Sequence, residues 1–126
     1  MKTVQKESIR LVIADDHPLF RRGLKNAIAE TGDIKVACEA NNGDELLSLI
    51  KENKFDMVLL DIAMPGKSGL DLLKQLKSEY PKLPILVLSV YPEEQYAVRF
   101  IKAGASGYLT KESASEKLVE AIRKVA

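Results

Sequence analysis

Three aspartates, one serine and one lysine end short apolar runs and are the residues best placed to do chemistry. Asp61 closes Met57-Val58-Leu59-Leu60 and opens the loop Ile62 to Gly69. Asp15 and Asp16 end the run Ile9 to Ala14, Ser89 ends Ile85 to Leu88, and Lys111 follows Gly107 to Thr110. Carboxylates brought together in an apolar-walled cleft repel one another, and each has a raised pKa unless a cation neutralises them. The candidate ligands are oxygens, with no thiolate near them, which favours a hard cation. Mg²⁺ fits best, because it keeps waters and binds through one or two carboxylates plus phosphate. Lys111 adds a fixed positive charge. A metal and a lysine around one carboxylate are what phosphoryl transfer onto that carboxylate needs, since the work is positioning and compensating charge on three oxygens. Asp61 is then the nucleophile of an aspartyl phosphate.

Taken singly, these residues have blander readings. An aspartate after a strand is commonly a helix cap or turn residue. Asp15 and Asp16 could cap the first helix, Ser89 could be a turn hydroxyl, and Lys111 a solvated lysine. Their recurrence at matching strand ends outweighs the separate readings. His17, beside the acidic pair, is read as a loop or first-turn residue and not as a ligand. The leucine stripes are read as core.

The elements that position these groups follow from hydrophobic periodicity. Met1 to Ser8 is a polar tail. Ile9 to Ala14 reads as a strand covered on both faces. Pro18 suits a first helical turn, with Leu19, Phe20, Leu24, Ala27 and Ile28 at helical spacing to about Glu30 and Gly32 as the stop. Ile34 to Ala40 reads as an edge strand interrupted by Lys35 and Glu39. Asn41-Asn42-Gly43 is turn chemistry before a helix carrying Leu46, Leu47, Leu49 and Ile50. Met57 to Leu60 is the central strand. Ser68 caps a helix striped by Leu70, Leu73 and Leu76. Ile85 to Leu88 is the fourth strand. Pro92 opens a helix with Ala97, Phe100 and Ile101 on one face, ended by Gly104. Gly107 to Thr110 is the last strand, and Ser113 or Ser115 caps a final helix with Leu118, Ala121, Ile122 and Val125 inward. Five strands alternating with five helices imply a parallel sheet with helices on both faces and ligands beyond the carboxyl ends of the strands.

Composition narrows the function classes. A chain of 126 residues fits one domain. Its net charge of +1 argues against the chain itself neutralising nucleic-acid phosphates. It shows no secretory signal and no run long enough for a membrane span. Cys38 is the one cysteine and reads as a buried small residue. These features fit a cytoplasmic protein.

The residues resemble a known family, the receiver domain of two-component response regulators. The resemblance rests on Ile9 to Pro18 with Asp15-Asp16-His17-Pro18, on Val58-Leu59-Leu60-Asp61-Ile62-Ala63-Met64-Pro65-Gly66 with Ser68-Gly69, on Val87-Leu88-Ser89, and on Ala103 to Lys111. The Asp-Asp-His-Pro start and Gly-Ala-Ser-Gly-Tyr-Leu-Thr-Lys are most similar to the NarL/FixJ subfamily. The resemblance implies a flavodoxin-like (CheY-like) α/β fold over residues 9–126, with strand order 2-1-3-4-5 and five flanking helices. It implies that Asp61 accepts a phosphoryl group from a sensor histidine kinase. Asp16, Asp61 and the Ala63 carbonyl would hold Mg²⁺, with Asp15 supporting the metal directly or through water. Lys111 would bridge to the phosphoryl group, Ser89 would bond one of its oxygens, and Tyr108 would rotate inward as space near Ser89 opens.

Further expectations follow. Ala63 lacks a hydrogen-bonding side chain and Tyr91 is bulky, so both are expected to limit an attacking water and prolong the phosphorylated state. Glu112 stands after Lys111 where many receivers have proline, so no cis bond is assumed there. A helix-turn-helix that binds DNA is expected beyond Ala126, and the receiver could form a phosphorylation-linked homodimer; a stand-alone receiver working through protein contacts is the alternative. A phosphohydrolase with an aspartyl intermediate would want a carboxylate at position 63, where this chain has alanine. A flavin or nucleotide carrier would want a glycine-rich phosphate loop after the first strand, and none is present. The full acidic set argues against a receiver that only binds partners.

Overall fold

The computed structural model describes residues 8–64, 66 and 68–126. The expected tail, apart from Ser8, and Pro65 and Lys67 of the loop after Asp61 lie outside the described residues. The chain alternates β1 (Ile9–Ala14), α1 (Pro18–Ala29), β2 (Ile34–Ala40), α2 (Gly43–Glu52), β3 (Met57–Asp61), α3 (Gly69–Glu79), β4 (Ile85–Ser89), α4 (Glu93–Lys102), β5 (Gly107–Thr110) and α5 (Lys111–Val125). The strands form one parallel sheet ordered β2-β1-β3-β4-β5. Order and layering agree with the expected flavodoxin-like class.

The unbroken apolar strands are explained by burial on both faces. Side chains alternate sides along a strand. Val12, Ala14, Val58, Leu60, Ile85 and Val87 face one way and pack with Leu46, Leu72, Leu73, Leu76 and Phe100 of α2, α3 and α4. Leu11, Ile13, Met57, Leu59, Leu86 and Leu88 face the other way and pack with Leu24 and Ile28 of α1 and Leu118 and Ile122 of α5. Burying one such leucine contributes about 1.5–3 kcal/mol, so the central strands are the most firmly held part of the chain. β2 lies at the edge as expected, with Lys35 and Glu39 exposed. Cys38 on β2 is only half-buried, because an edge strand has one flank open.

Helix ends follow local chemistry. Asn42 caps α2 by accepting the Glu45 amide at 2.8 Å, and Ser68 caps α3 by accepting the Asp71 amide at 3.1 Å. Gly32 and Gly104 hold φ of 84° and 115° after α1 and α4, in the region glycine adopts without a Cβ clash.

Several expectations are corrected. The last helix is capped by neither Ser113 nor Ser115. It starts at Lys111, directly after β5, and Thr110 caps it by accepting the Ser113 amide. The direct passage from strand to helix leaves no loop, so the capping residue is also the last of the strand. Leu19 and Ile101 are not core: they are 80% and 45% exposed. Each adjoins a core-facing position but sits about 100° round the helix from it. β3 and β4 each run one residue further than expected, taking in Asp61 and Ser89.

Candidate functional site

The site forms where β1, β3, β4 and β5 end together. Parallel pairing sets Ala14 beside Leu60, Asp61 beside Leu88, and Ser89 beside Thr110. The residues that follow these positions emerge at one rim of the sheet. Asp15, Asp61 and Ser89 are buried, although their residue types favour solvent.

Asp61 is held at both oxygens. Its Oδ1 accepts the Ala63 amide at 3.0 Å, and its Oδ2 accepts from Lys111 Nζ at 3.0 Å. Lys111 is the first residue of α5, so the strand-to-helix junction aims its stem across the rim. Its Nζ also lies 3.5 Å from Asp15 Oδ2 and 4.5 Å from the centroid of the Phe20 ring, a cation–π contact. The ammonium is therefore well fixed.

Asp15 is fixed from the first loop. Its Oδ1 accepts the His17 amide at 2.7 Å, and its backbone amide donates to the Ala40 carbonyl at 3.0 Å. Arg21 of α1 clamps the same residue: Nη1 donates to the Asp15 carbonyl at 2.6 Å and to Asn41 Oδ1 at 2.8 Å, while Nε lies 2.9 Å from Glu39. Burial pushes the Asp15 carboxyl above the ordinary range, and repulsion from Asp61 adds to this. The His17 amide, Lys111 and the His17 ring act in the opposite direction.

Two buried oxygens, Asp15 Oδ2 and Asp16 Oδ1, carry no hydrogen bond. Buried polar atoms are rarely left in this state. Oxygens of Asp15, Asp16 and Asp61 and a His17 nitrogen lie within 4.8 Å of one another. Carboxylate oxygens without hydrogen bonds at this separation fit a divalent cation.

The other expected residues lie on the β4–β5 side. Ser89 Oγ accepts the Tyr91 amide at 2.9 Å, and Tyr108 donates its hydroxyl to the Tyr91 carbonyl at 3.0 Å. The Tyr91 ring stacks on Tyr96 at 4.7 Å, and the Tyr108 ring on Phe100 at 5.9 Å. One backbone segment, Val90 to Tyr91, thus connects the serine to the tyrosine. Ala63 is exposed beside Asp61. No peptide bond is cis among the described residues, the one after Lys111 included.

Sequence reasoning set His17 aside and missed Arg21. The His17 Nδ1 lies 3.2 Å from Asp15, 3.2 Å from Asp16 and 3.3 Å from Asp61. Its adjacency to two aspartates was the available signal. Arg21 had none, because its partners are a backbone carbonyl at Asp15 and side chains of the edge strand and the turn after it.

Packing explains the glycine at position 69. A Cβ there would lie 2.5 Å from Ile62 Cβ and 2.7 Å from the Ile62 carbonyl oxygen. Gly69→Ala must push back the Ile62–Ala63 segment that hydrogen-bonds Asp61. The expected cost is about 1–3 kcal/mol, read as a lower urea midpoint. Divalent-cation affinity should weaken by about tenfold, as when supporting groups of a metal site are disturbed; calorimetric titration checks this.

Comparison with known proteins agrees with this geometry. Residues 11–123 match the response regulator receiver domain. The transcriptional regulatory protein DegU of Brevibacillus brevis is 37% identical over 123 residues, covering 98% of this chain and 52% of that protein. The chain thus spans about half the length of the curated relatives it matches. A two-component response regulator of the LuxR family from Aurantimonas superposes with a TM-score of 0.88 at 30% identity, covering 94% of this chain and 85% of that one. The receiver domain of the response regulator NarL from Mycobacterium tuberculosis superposes with a TM-score of 0.85 at 35% identity, covering 94% and 95%. With buried aspartates, a fixed lysine and a 2-1-3-4-5 sheet already in place, the match over residues 11–123 shows that this chain belongs to the response regulator receiver domain family.

Proposed function

We propose that Asp61 accepts a phosphoryl group from the phosphohistidine of a sensor histidine kinase. An Asp61 oxygen forms the new bond to phosphorus, the phosphorus–nitrogen bond breaks, and its electron pair returns to the imidazole of the kinase. The observation that carries this reading is the Lys111 ammonium 3.0 Å from Asp61 Oδ2, beside the buried oxygens of Asp15 and Asp16 that carry no hydrogen bond. Lys111 compensates charge on the arriving oxygens, and the Ala63 amide orients the attacking carboxylate. Asp16, Asp61 and the Ala63 carbonyl would hold Mg²⁺, with Asp15 in direct or water-mediated support. Bound there, the cation supplies charge neutralisation between the carboxylates and the phosphoryl oxygens.

After transfer, Ser89 turns its hydroxyl from the Tyr91 amide to a phosphoryl oxygen, and Tyr108 leaves the Tyr91 carbonyl and moves inward. Both groups rest on one backbone segment, which supports their moving together as a two-state element. The chain modifies itself and does not turn over an external substrate. The resemblance to transcriptional regulators supports an output through a DNA-binding segment, with a phosphorylation-linked homodimer as its intermediate. No helix among the described residues is long and apolar enough to cross a membrane, and a cytoplasmic site of action is part of the proposal.

The test is incubation with a small acyl phosphate and Mg²⁺. Intact-mass measurement should show one added phosphoryl group, and no gain overturns the reading. Ala63 and Tyr91 are proposed to set its lifetime. Ala63→Asn offers an amide to orient an attacking water and should shorten the lifetime by about tenfold, at the low end of a positioning effect. A lifetime equal to or longer than that of the parent would remove Ala63 from this role.

A further inference from the structure

We infer that the His17 imidazole is a nitrogen ligand of the acidic site and biases it towards nitrogen-preferring first-row cations such as Co²⁺. The inference rests on the proposal above that Asp15, Asp16 and Asp61 hold a divalent cation. His17 Nδ1 approaches Asp15 Oδ1 and Asp16 Oδ1 at 3.2 Å and Asp61 Oδ2 at 3.3 Å. It also lies 3.2 Å from Lys111 Nζ. These are contradictory neighbours for one nitrogen. Towards the carboxylates it must donate, and towards the ammonium it must accept. A divalent cation resolves the conflict, because it takes the nitrogen lone pair and the carboxylate oxygens together.

Two further observations point the same way. The Asp15 side chain is 0% exposed, yet its Oδ2 carries no hydrogen bond. The His17 side chain makes no capping bond to α1, although it occupies the capping position. Its ring is therefore free to serve the site, and the Asp15 bond to the His17 amide sets its direction. Oxygen-only sites suit Mg²⁺, whereas an imidazole adds affinity along the series from Mn²⁺ to Cu²⁺.

Calorimetric titration of Mg²⁺ and Co²⁺ into the parent chain, His17→Asn and His17→Ala tests this at fixed pH and salt. The ratio of the Mg²⁺ to the Co²⁺ dissociation constant should fall by about tenfold or more in both variants. Any purely electrostatic or structural effect of removing the ring acts on both ions and cancels in the ratio. Spin-echo spectroscopy of bound Mn²⁺ should show the modulation of a coordinated imidazole nitrogen in the parent chain and lose it in both variants. The ring is 54% exposed and α1 starts at Pro18, so both variants are expected to fold. An unchanged ratio with Mg²⁺ still bound overturns the role of His17 and leaves the acidic site standing. Failure of the parent chain to bind either ion overturns the acidic site and this inference with it.

Discussion

Asp61→Asn is expected to abolish phosphoryl uptake while leaving the fold intact. The amide has nearly the shape of the carboxylate but lacks a nucleophilic oxyanion, so the rate should fall by more than about a thousandfold. The structure explains why the protein should tolerate the change. The amide oxygen can still accept from Lys111 Nζ or from the Ala63 amide, the two groups that fix Asp61. Removing the charge also relieves repulsion with Asp15, which acts to raise the Asp15 pKa. The denaturation midpoint should stay level or rise. Intact-mass measurement after exposure to acyl phosphate and Mg²⁺ checks the chemistry, and a urea melt checks the fold. A variant that still gains one phosphoryl group would place the acceptor elsewhere.

Asp15→Asn is expected to act in opposite directions on the metal-free and the metal-bound protein. The Asp15 carboxyl is raised above its ordinary value of 3.8, chiefly by burial. The folded state therefore holds this proton more tightly than the unfolded chain does. The stability linked to this group is fully present below 3.8 and is lost as pH rises through the raised folded value. The charged form of this carboxyl is a burden on the fold, because burial disfavours its charge and the Asp61 carboxylate repels it. A neutral amide removes the buried charge and its repulsion with Asp61, a gain of about 1–3 kcal/mol, so the variant should be the more stable metal-free protein at pH 7. Its advantage should shrink as the pH falls and the parent carboxyl takes up its proton.

Mg²⁺ should reverse the order. A cation at a hundred times its dissociation constant stabilises a protein by about 2.7 kcal/mol. The parent chain should gain this, and a variant with a weakened acidic set should gain much less. Thermal melts with and without Mg²⁺, from pH 4 to pH 8, would show the crossing. A variant less stable than the parent without metal, or equally stabilised by Mg²⁺, would contradict this account of the site.

Much of the fold was legible because its strands are covered on both faces. Such strands read as unbroken apolar runs, so Ile9–Ala14, Met57–Asp61 and Ile85–Ser89 stand out from their surroundings. The parallel arrangement then follows from alternation with helices, and with it the rim at which Asp15, Asp61, Ser89 and Lys111 meet. Helix faces were less legible. Leu19 adjoins the half-buried Phe20 and Ile101 the buried Phe100, and only the orientation of each helix against the sheet separates exposed from inward-facing.

Residue type and spacing are enough to pick out the groups of the proposed chemistry. Carboxylates, a lysine and a hydroxyl at strand ends are local facts, and a parallel sheet brings strand ends together wherever they fall in the chain. How those groups are held depends on the packed fold. Arg21 reaches Asp15 through a carbonyl and partners on β2 and its following turn. Gly69 is required because Ile62 passes too close for a side chain. Thr110 caps α5 because strand and helix join without a loop. His17 enters the acidic site because the first loop turns its ring inward. Each depends on distances between segments far apart in the chain or on the path of a loop. Residue type and spacing do not encode those distances; the packing of α1, α3 and α5 on the sheet does.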